Sequence, residues 1–127
     1  MKMIVAVIRP EKLEAVQRAL SERDVYLMTV TDVRGCGRQR GFTEVYRGTE
    51  FQVRLLPKLK LEIAVPDPEV SDVVSAIARA ARTGQIGDGK IYVSDLSDAL
   101  RIRTGEQGDA AISQAPLEPA VSRVEYF

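Results

Sequence analysis

Residues 59–84, LKLEIAVPDPEVSDVVSAIARAARTG, hold the change of period on which the fold turns. Leu59, Leu61, Ile63 and Val65 alternate with Lys60, Glu62 and Ala64, the two-residue repeat of a strand with one buried face. Asp67 and Pro68 read as an N-cap and a first-turn proline. From Val70 the apolar positions Val73, Val74, Ile77 and Ala81 then recur at helical spacing until Gly84 supplies a stop. The stretch is therefore a strand that runs straight into an amphipathic helix.

The same grammar precedes it. Residues 2–9 read as a strand apolar on both faces, since Ile4, Ala6 and Ile8 alternate with Met3, Val5 and Val7. Pro10 ends that strand, and Leu13, Val16, Ala19 and Leu20 mark a helix from Glu11 to about Arg23. Residues 25–34, rich in Val and Thr, predict a second strand. Residues 90–94 predict a further one, and residues 99–103 an additional edge strand. Strand–helix–strand, twice over, predicts an α+β fold: a ferredoxin-like βαββαβ sandwich with two helices on one face of an antiparallel sheet. The first strand has apolar side chains for the uncovered face too, so a homo-oligomer is expected.

Between the halves lies a connection, 35–57, of roughly 20 residues, a length that compact domains keep for function or leave disordered. Phe42, Val45, Tyr46, Phe51 and Val53 among its arginines argue against a disordered linker, and it reads as a projecting interaction arm. Residues 113–127 read as a tail with no motif.

Composition closes several function classes. The chain of 127 residues has a core of ordinary size for one domain, and its 18 basic and 18 acidic residues give zero formal net charge, which argues against nonspecific binding of nucleic acid. A single cysteine, Cys36, and no histidine remove an internal disulfide, a cysteine-based zinc site and the commonest general base. The apolar run 3–8 is too short for a signal peptide or a membrane span, and a cytoplasmic protein is expected.

Chemistry concentrates in residues 84–90, GQIGDGK, which fit the spacing GxxxxGK. Ile91 stands where a magnesium-binding hydroxyl belongs, and the loop joins helix to strand where a P-loop joins strand to helix, so this is not a Walker site. Gly87 and Gly89 still leave backbone N–H groups open to an oxyanion, and Lys90 adds a point charge; a plain structural turn is the competing reading. Arg101 and Arg103, two apart on the expected edge strand, share one face and read either as solvated edge charges or, with Lys90, as cations for a triphosphate. Each charge-assisted hydrogen bond would contribute roughly 1.5–3 kcal/mol.

These residues carry a family likeness. Arg9-Pro10, Met28-Thr-Val-Thr31, Gly35-Cys-Gly-Arg-Gln39, Thr43-Glu-Val-Tyr-Arg-Gly48, Leu56-Pro-Lys58, Ala81-Arg-Thr-Gly84, Ile86-Gly-Asp-Gly-Lys90 and Arg101-Ile-Arg-Thr-Gly-Glu106 resemble the PII signal-transduction proteins, sensors of nitrogen and carbon status, over residues 1–112. The resemblance implies a homotrimer that binds ATP or ADP in clefts between subunits. The arm 35–57 is then the T-loop, 82–90 the B-loop, and the C-loop begins at about 101. Nucleotide contacts are implied for Thr29, Gly35, Gly37, Arg38, Gln39, Ala64, Gly87, Asp88, Gly89, Lys90, Arg101 and Arg103. Gln39, Lys58 and Gly87 match positions that engage 2-oxoglutarate, with Gln39 a ligand of the Mg2+ that bridges this acid to ATP. Arg47, Tyr46 and Thr49 fall where the T-loop meets partners, which in the family are enzymes, transporters and transcription factors of nitrogen metabolism, among them the ammonium channel.

The chain departs from the family pattern at four positions. Phe51 stands where relatives carry a tyrosine that is uridylylated or adenylylated, and a phenyl ring has no oxygen to modify. Asp24 and Leu27 replace glycines, and Ala64 replaces a valine. The expected function is a non-catalytic regulator that senses ATP or ADP and 2-oxoglutarate and acts through its T-loop. The alternatives are a divergent sensor of another adenine nucleotide or anion, and a weak nucleotide hydrolase.

Overall fold

The computed structural model describes residues 1–36 and 55–114, with the backbone of 45–46 and 49–50. Its strands are β1 (Lys2–Ile8), β2 (Thr29–Gly35), β3 (Val45–Tyr46), β4 (Thr49–Glu50), β5 (Leu56–Val65) and β6 (Gly89–Asp95), and its helices α1 (Leu13–Ser21) and α2 (Val70–Ala81). β2, β5, β1 and β6 lie in that order in one antiparallel sheet, the order of a ferredoxin-like βαββαβ fold.

The two-residue repeat of 59–65 decides which face is covered. Leu59, Leu61, Ile63 and Val65 of β5 and Ile4, Ala6 and Ile8 of β1 are buried beneath the helices. Val16 and Leu20 of α1 meet them together with Val73, Ala76 and Ile77 of α2. Each large aliphatic side chain removed from water here stabilises the fold by about 1.5–3 kcal/mol. On the bare face, Met3, Val5 and Val7 stay half-buried beside Lys60, Glu62 and Ala64 of β5 and Lys90, Tyr92 and Ser94 of β6.

Several expectations are corrected. Both helices begin with a single 3-10 turn, Pro10–Lys12 and Asp67–Glu69, each with a proline among its residues. Asp67 does not cap α2; its carboxylate pairs at 2.9 Å with the amino group of Met1. The second strand starts at Thr29, four residues later than the Val/Thr composition predicts, since Val25 is spent on ending α1. Its N–H reaches Leu20 O at 2.9 Å and that of Asp24 reaches Ser21 O at 3.0 Å, a Schellman closure with Asp24 left-handed at φ 58°.

The long connection is also shorter than 35–57, because Gly35 pairs with Leu56 and Arg34 with Pro57. Pro57 is tolerated in β5 because it lies beyond Leu59, the last residue paired with β1, so only β2 flanks it there. Within the connection β3 and β4 pair, Val45 with Glu50 and Tyr46 with Thr49. The expected edge strand 99–103 does not form. Leu100 makes only an isolated bridge to Gln107, and Gly105, at φ 77°, turns the chain so that its N–H bonds Arg101 O at 2.7 Å.

Candidate functional site

The carboxyl end of β1 gathers the first cluster. Arg9 follows that strand, Lys58 precedes the register partner of Ile8 on β5, and Gly89 pairs with Ile8 on β6, so the loop 82–90 and the stem of the long connection converge here. Gly35 stands within 3.7 Å of the Lys58 side chain, measured from where its Cβ would be.

Asp88 organises the loop. Its carboxylate accepts from the N–H of Thr83 and of Gly84, both at 2.9 Å, from the Thr83 hydroxyl, and from Arg9 Nε at 3.0 Å. Arg9 also donates to Ile86 O at 2.8 Å, and Lys58 Nζ donates to Gly87 O. The hydrogen bonds from Thr83, Gly84 and Arg9 hold the Asp88 carboxyl well below the usual carboxylate range. Gly84, Gly87 and Gly89 take positive φ values of 87°, 105° and 102°. Gly89 cannot be replaced without moving a strand, because a Cβ there would lie 1.8 Å from Val7 O. The segment is thus a pre-formed glycine turn with two cations, Lys58 and Lys90, beside it.

A second cluster lies at the other end of β1. A recess of about 450 Å³ is lined by Met3, Leu27, Thr29, Glu62, Ala64 and Gln114 among others. Arg101 lies behind it, its guanidinium donating to Ala111 O at 3.1 Å and Ser113 O at 3.0 Å and pairing with Glu106 at 3.5 Å. Thr104 is buried and donates to Glu106 Oε1 at 2.7 Å, inside the turn that follows Leu100.

The profile of the family described as nitrogen regulatory protein P-II matches residues 1–106. The chain belongs to the P-II family. It is 56% identical over 112 residues to nitrogen regulatory protein P-II 1 of Escherichia coli K12, covering 88% of this chain and 100% of that one. It is 55% identical over 112 residues to P-II 2 of Methanothermobacter thermautotrophicus, 88% of this chain and 97% of that one, and shares 55% over 112 residues, 88% and 100%, with the P-II protein of Klebsiella oxytoca. P-II proteins are regulatory signal transducers rather than enzymes. Among the described residues no helix is long and apolar enough to cross a membrane.

In this P-II chain the expected site residues fall into two groups. Gly35, Lys58, Gly87, Asp88, Gly89 and Lys90 stand at the carboxyl end of β1; Thr29, Ala64 and Arg101 stand toward its amino end. Lys90 pairs with Val7, whereas Ala64 pairs with Met3, four residues or about 14 Å away along the strand. Arg101 and Arg103 do not share a strand face: Arg101 is turned inward onto its own loop and Arg103 is exposed. Asp88, expected to meet a nucleotide, spends both carboxylate oxygens inside its loop. Gly37, Arg38, Gln39 and Arg47 lie outside the described residues, and only the backbone of Tyr46 and Thr49 is described.

Sequence reasoning gave no site role to Arg9, Thr83 or Gln114. Thr83 carried a readable signal, since a threonine five residues before an aspartate across a glycine turn is a ready side-chain bridge. Arg9 and Gln114 act on segments 79 and 87 residues away, and no local pattern reveals that.

Proposed function

We propose that this P-II protein senses ATP or ADP, and 2-oxoglutarate together with Mg2+, and controls nitrogen-metabolism partner proteins through the loop between β2 and β5. The observation that carries the reading is the pre-formed glycine turn at the foot of that loop. Asp88 and Arg9 hold the turn in shape, Gly87 and Gly89 take positive φ values with no side chain to screen their backbone N–H groups from an anion, and Lys90 and Lys58 add charge. With Lys58 beside Gly35, a ligand bound here touches the stem from which the loop projects.

The separation of the two clusters favours a nucleotide held between subunits, which fits the homotrimer that the family resemblance implies. Lys90 stands at the carboxyl end of β1, while Arg101 is turned onto its own loop toward the other end, which favours a ligand that bridges two copies. The half-buried Met3, Val5 and Val7 offer the apolar strip for assembly. Thr29 and Ala64 then face the base from one subunit while Gly87, Gly89 and Lys90 hold phosphates from the other. Gln39 supplies a hard oxygen for Mg2+ and Lys58 a cation for the carboxylate of 2-oxoglutarate. A ligand moves the loop only by binding one of its states better than the other, so nucleotide and partner affinities are linked reciprocally. With phenylalanine at position 51, control rests on these ligands and not on uridylylation there.

Calorimetry tests the reading. ATP is titrated first, then 2-oxoglutarate with and without Mg2+; micromolar ATP binding followed by 2-oxoglutarate binding that needs both ATP and Mg2+ is expected. Absence of ATP binding at micromolar levels overturns it, and 2-oxoglutarate binding without ATP removes the bridged arrangement.

A further inference from the structure

Ser113 and Gln114 lie beyond the 1–106 span matched by the family profile, yet Gln114 is tied into the second cluster. Its Oε1 accepts from the N–H of Tyr26 at 2.9 Å and of Leu27 at 2.8 Å, and its Nε2 donates to Leu27 O at 3.3 Å. Both polar groups of the Leu27 peptide are therefore occupied by one side-chain amide. The residues before it are fixed too: Ile112 is buried, and the carbonyls of Ala111 and Ser113 both take hydrogen bonds from Arg101.

Gln114 stands on the ridge between two recesses, the one of about 450 Å³ that holds Thr29 and Ala64 and a larger one of about 760 Å³ bounded by Arg23, Asp24 and Glu69. In the smaller recess it takes the place of a ligand in two respects. A carboxamide presents an acceptor beside a donor, the same pair that adenine presents at its N7 and amino group, so an adenine ring entering here is offered the Leu27 edge that Gln114 already holds. The guanidinium of Arg101, which a phosphate would need, is held by the backbone of the same segment.

We propose that residues 111–114 are an intramolecular clasp on the nucleotide half-site, and that Gln114 lowers nucleotide affinity by competing for the Leu27 backbone. The inference rests on the nucleotide-sensing reading above. It makes Gln114 an affinity-determining residue that the 1–106 core does not supply, and nucleotide binding is coupled to release of the Gln114 side chain from Leu27.

The test compares the full-length protein with Gln114→Ala and Gln114→Asn, the second because an amide one methylene shorter falls short of Leu27. Magnesium-free ATP titrations should show affinity about tenfold tighter in both variants, while amide exchange at Leu27 speeds up without nucleotide. Equal or weaker ATP binding by the variants overturns the clasp, since Gln114 would then be a wall of the site. ATP binding by none of the three proteins overturns the sensing reading itself and the clasp with it, an outcome distinct from equal affinities.

Discussion

Asp24 ends α1 in a conformation that L-residues other than Asn and Asp seldom adopt, at φ 58° in the position where a Schellman closure favours glycine. Its carboxylate also sits at the negative end of the helix, where an anion is unfavourable. Val25 and Leu20, both buried, make the apolar contact that accompanies such a closure. Asp24→Gly is therefore expected to stabilise the fold by about 0.5–1 kcal/mol, less the entropy that glycine adds to the unfolded chain. Thermal unfolding should show a rise of about 2–4 °C; a fall would mean that the weak contact from the Tyr26 hydroxyl to Asp24, at 3.4 Å, matters more than the backbone strain. The sequence shows a non-glycine residue here without showing why it matters. A β-branched residue after a helix reads as the start of a strand, and only the burial of Val25 tells it apart from a helix stop.

At the scale of elements, the loop 82–90 is held by one carboxylate, and that gives it an acid limit. The Asp88 carboxyl titrates near 3.9 when unfolded and lower when folded, so the stability it contributes is complete above that range and fades as pH falls through the folded value. Asp88→Asn places an NH2 group among the donors of Thr83, Gly84 and Arg9. The variant should melt below the wild-type protein at pH 7, with the gap closing as pH falls below about 4. A gap that stays constant from pH 7 to 3 would show that the carboxylate's charge is not what holds the loop. Glycines and Lys90 made this loop legible, and the alternation at 59–65 fixed the strand beside it, because both signals are local. The edge strand expected at 99–103 failed for the opposite reason. Arg101 is drawn inward by carbonyls ten and twelve residues further on, a nonlocal pull that overrides a weak alternation.

For the whole molecule, the helix-covered face is satisfied within one chain and the bare face is not. Periodicity alone made both faces of β1 readable, which is why the architecture was legible while the division of the candidate site residues between two ends was not: that division depends on strand register, set by pairing partners 50 or more residues away. Val5 sits mid-strand on the bare face with Glu62 and Tyr92 as its register neighbours. Val5→Glu puts a carboxylate directly beside Glu62 and removes apolar surface from the strip proposed for assembly while leaving the helix-side core untouched. Sedimentation equilibrium should give three times the 14.0 kDa chain mass for the wild-type protein and a lower mass for the variant, with the far-UV spectrum unchanged. A variant that remains trimeric would place the interface elsewhere. Under the proposed function dissociation should also carry ATP affinity with it, because Lys90 stands at the carboxyl end of β1 and Arg101 toward its amino end, and the proposed nucleotide is held by the two from different subunits. A dissociated variant that still binds ATP as tightly would show that the glycine turn and its lysines suffice alone, and the nucleotide would then have no means of reporting on assembly.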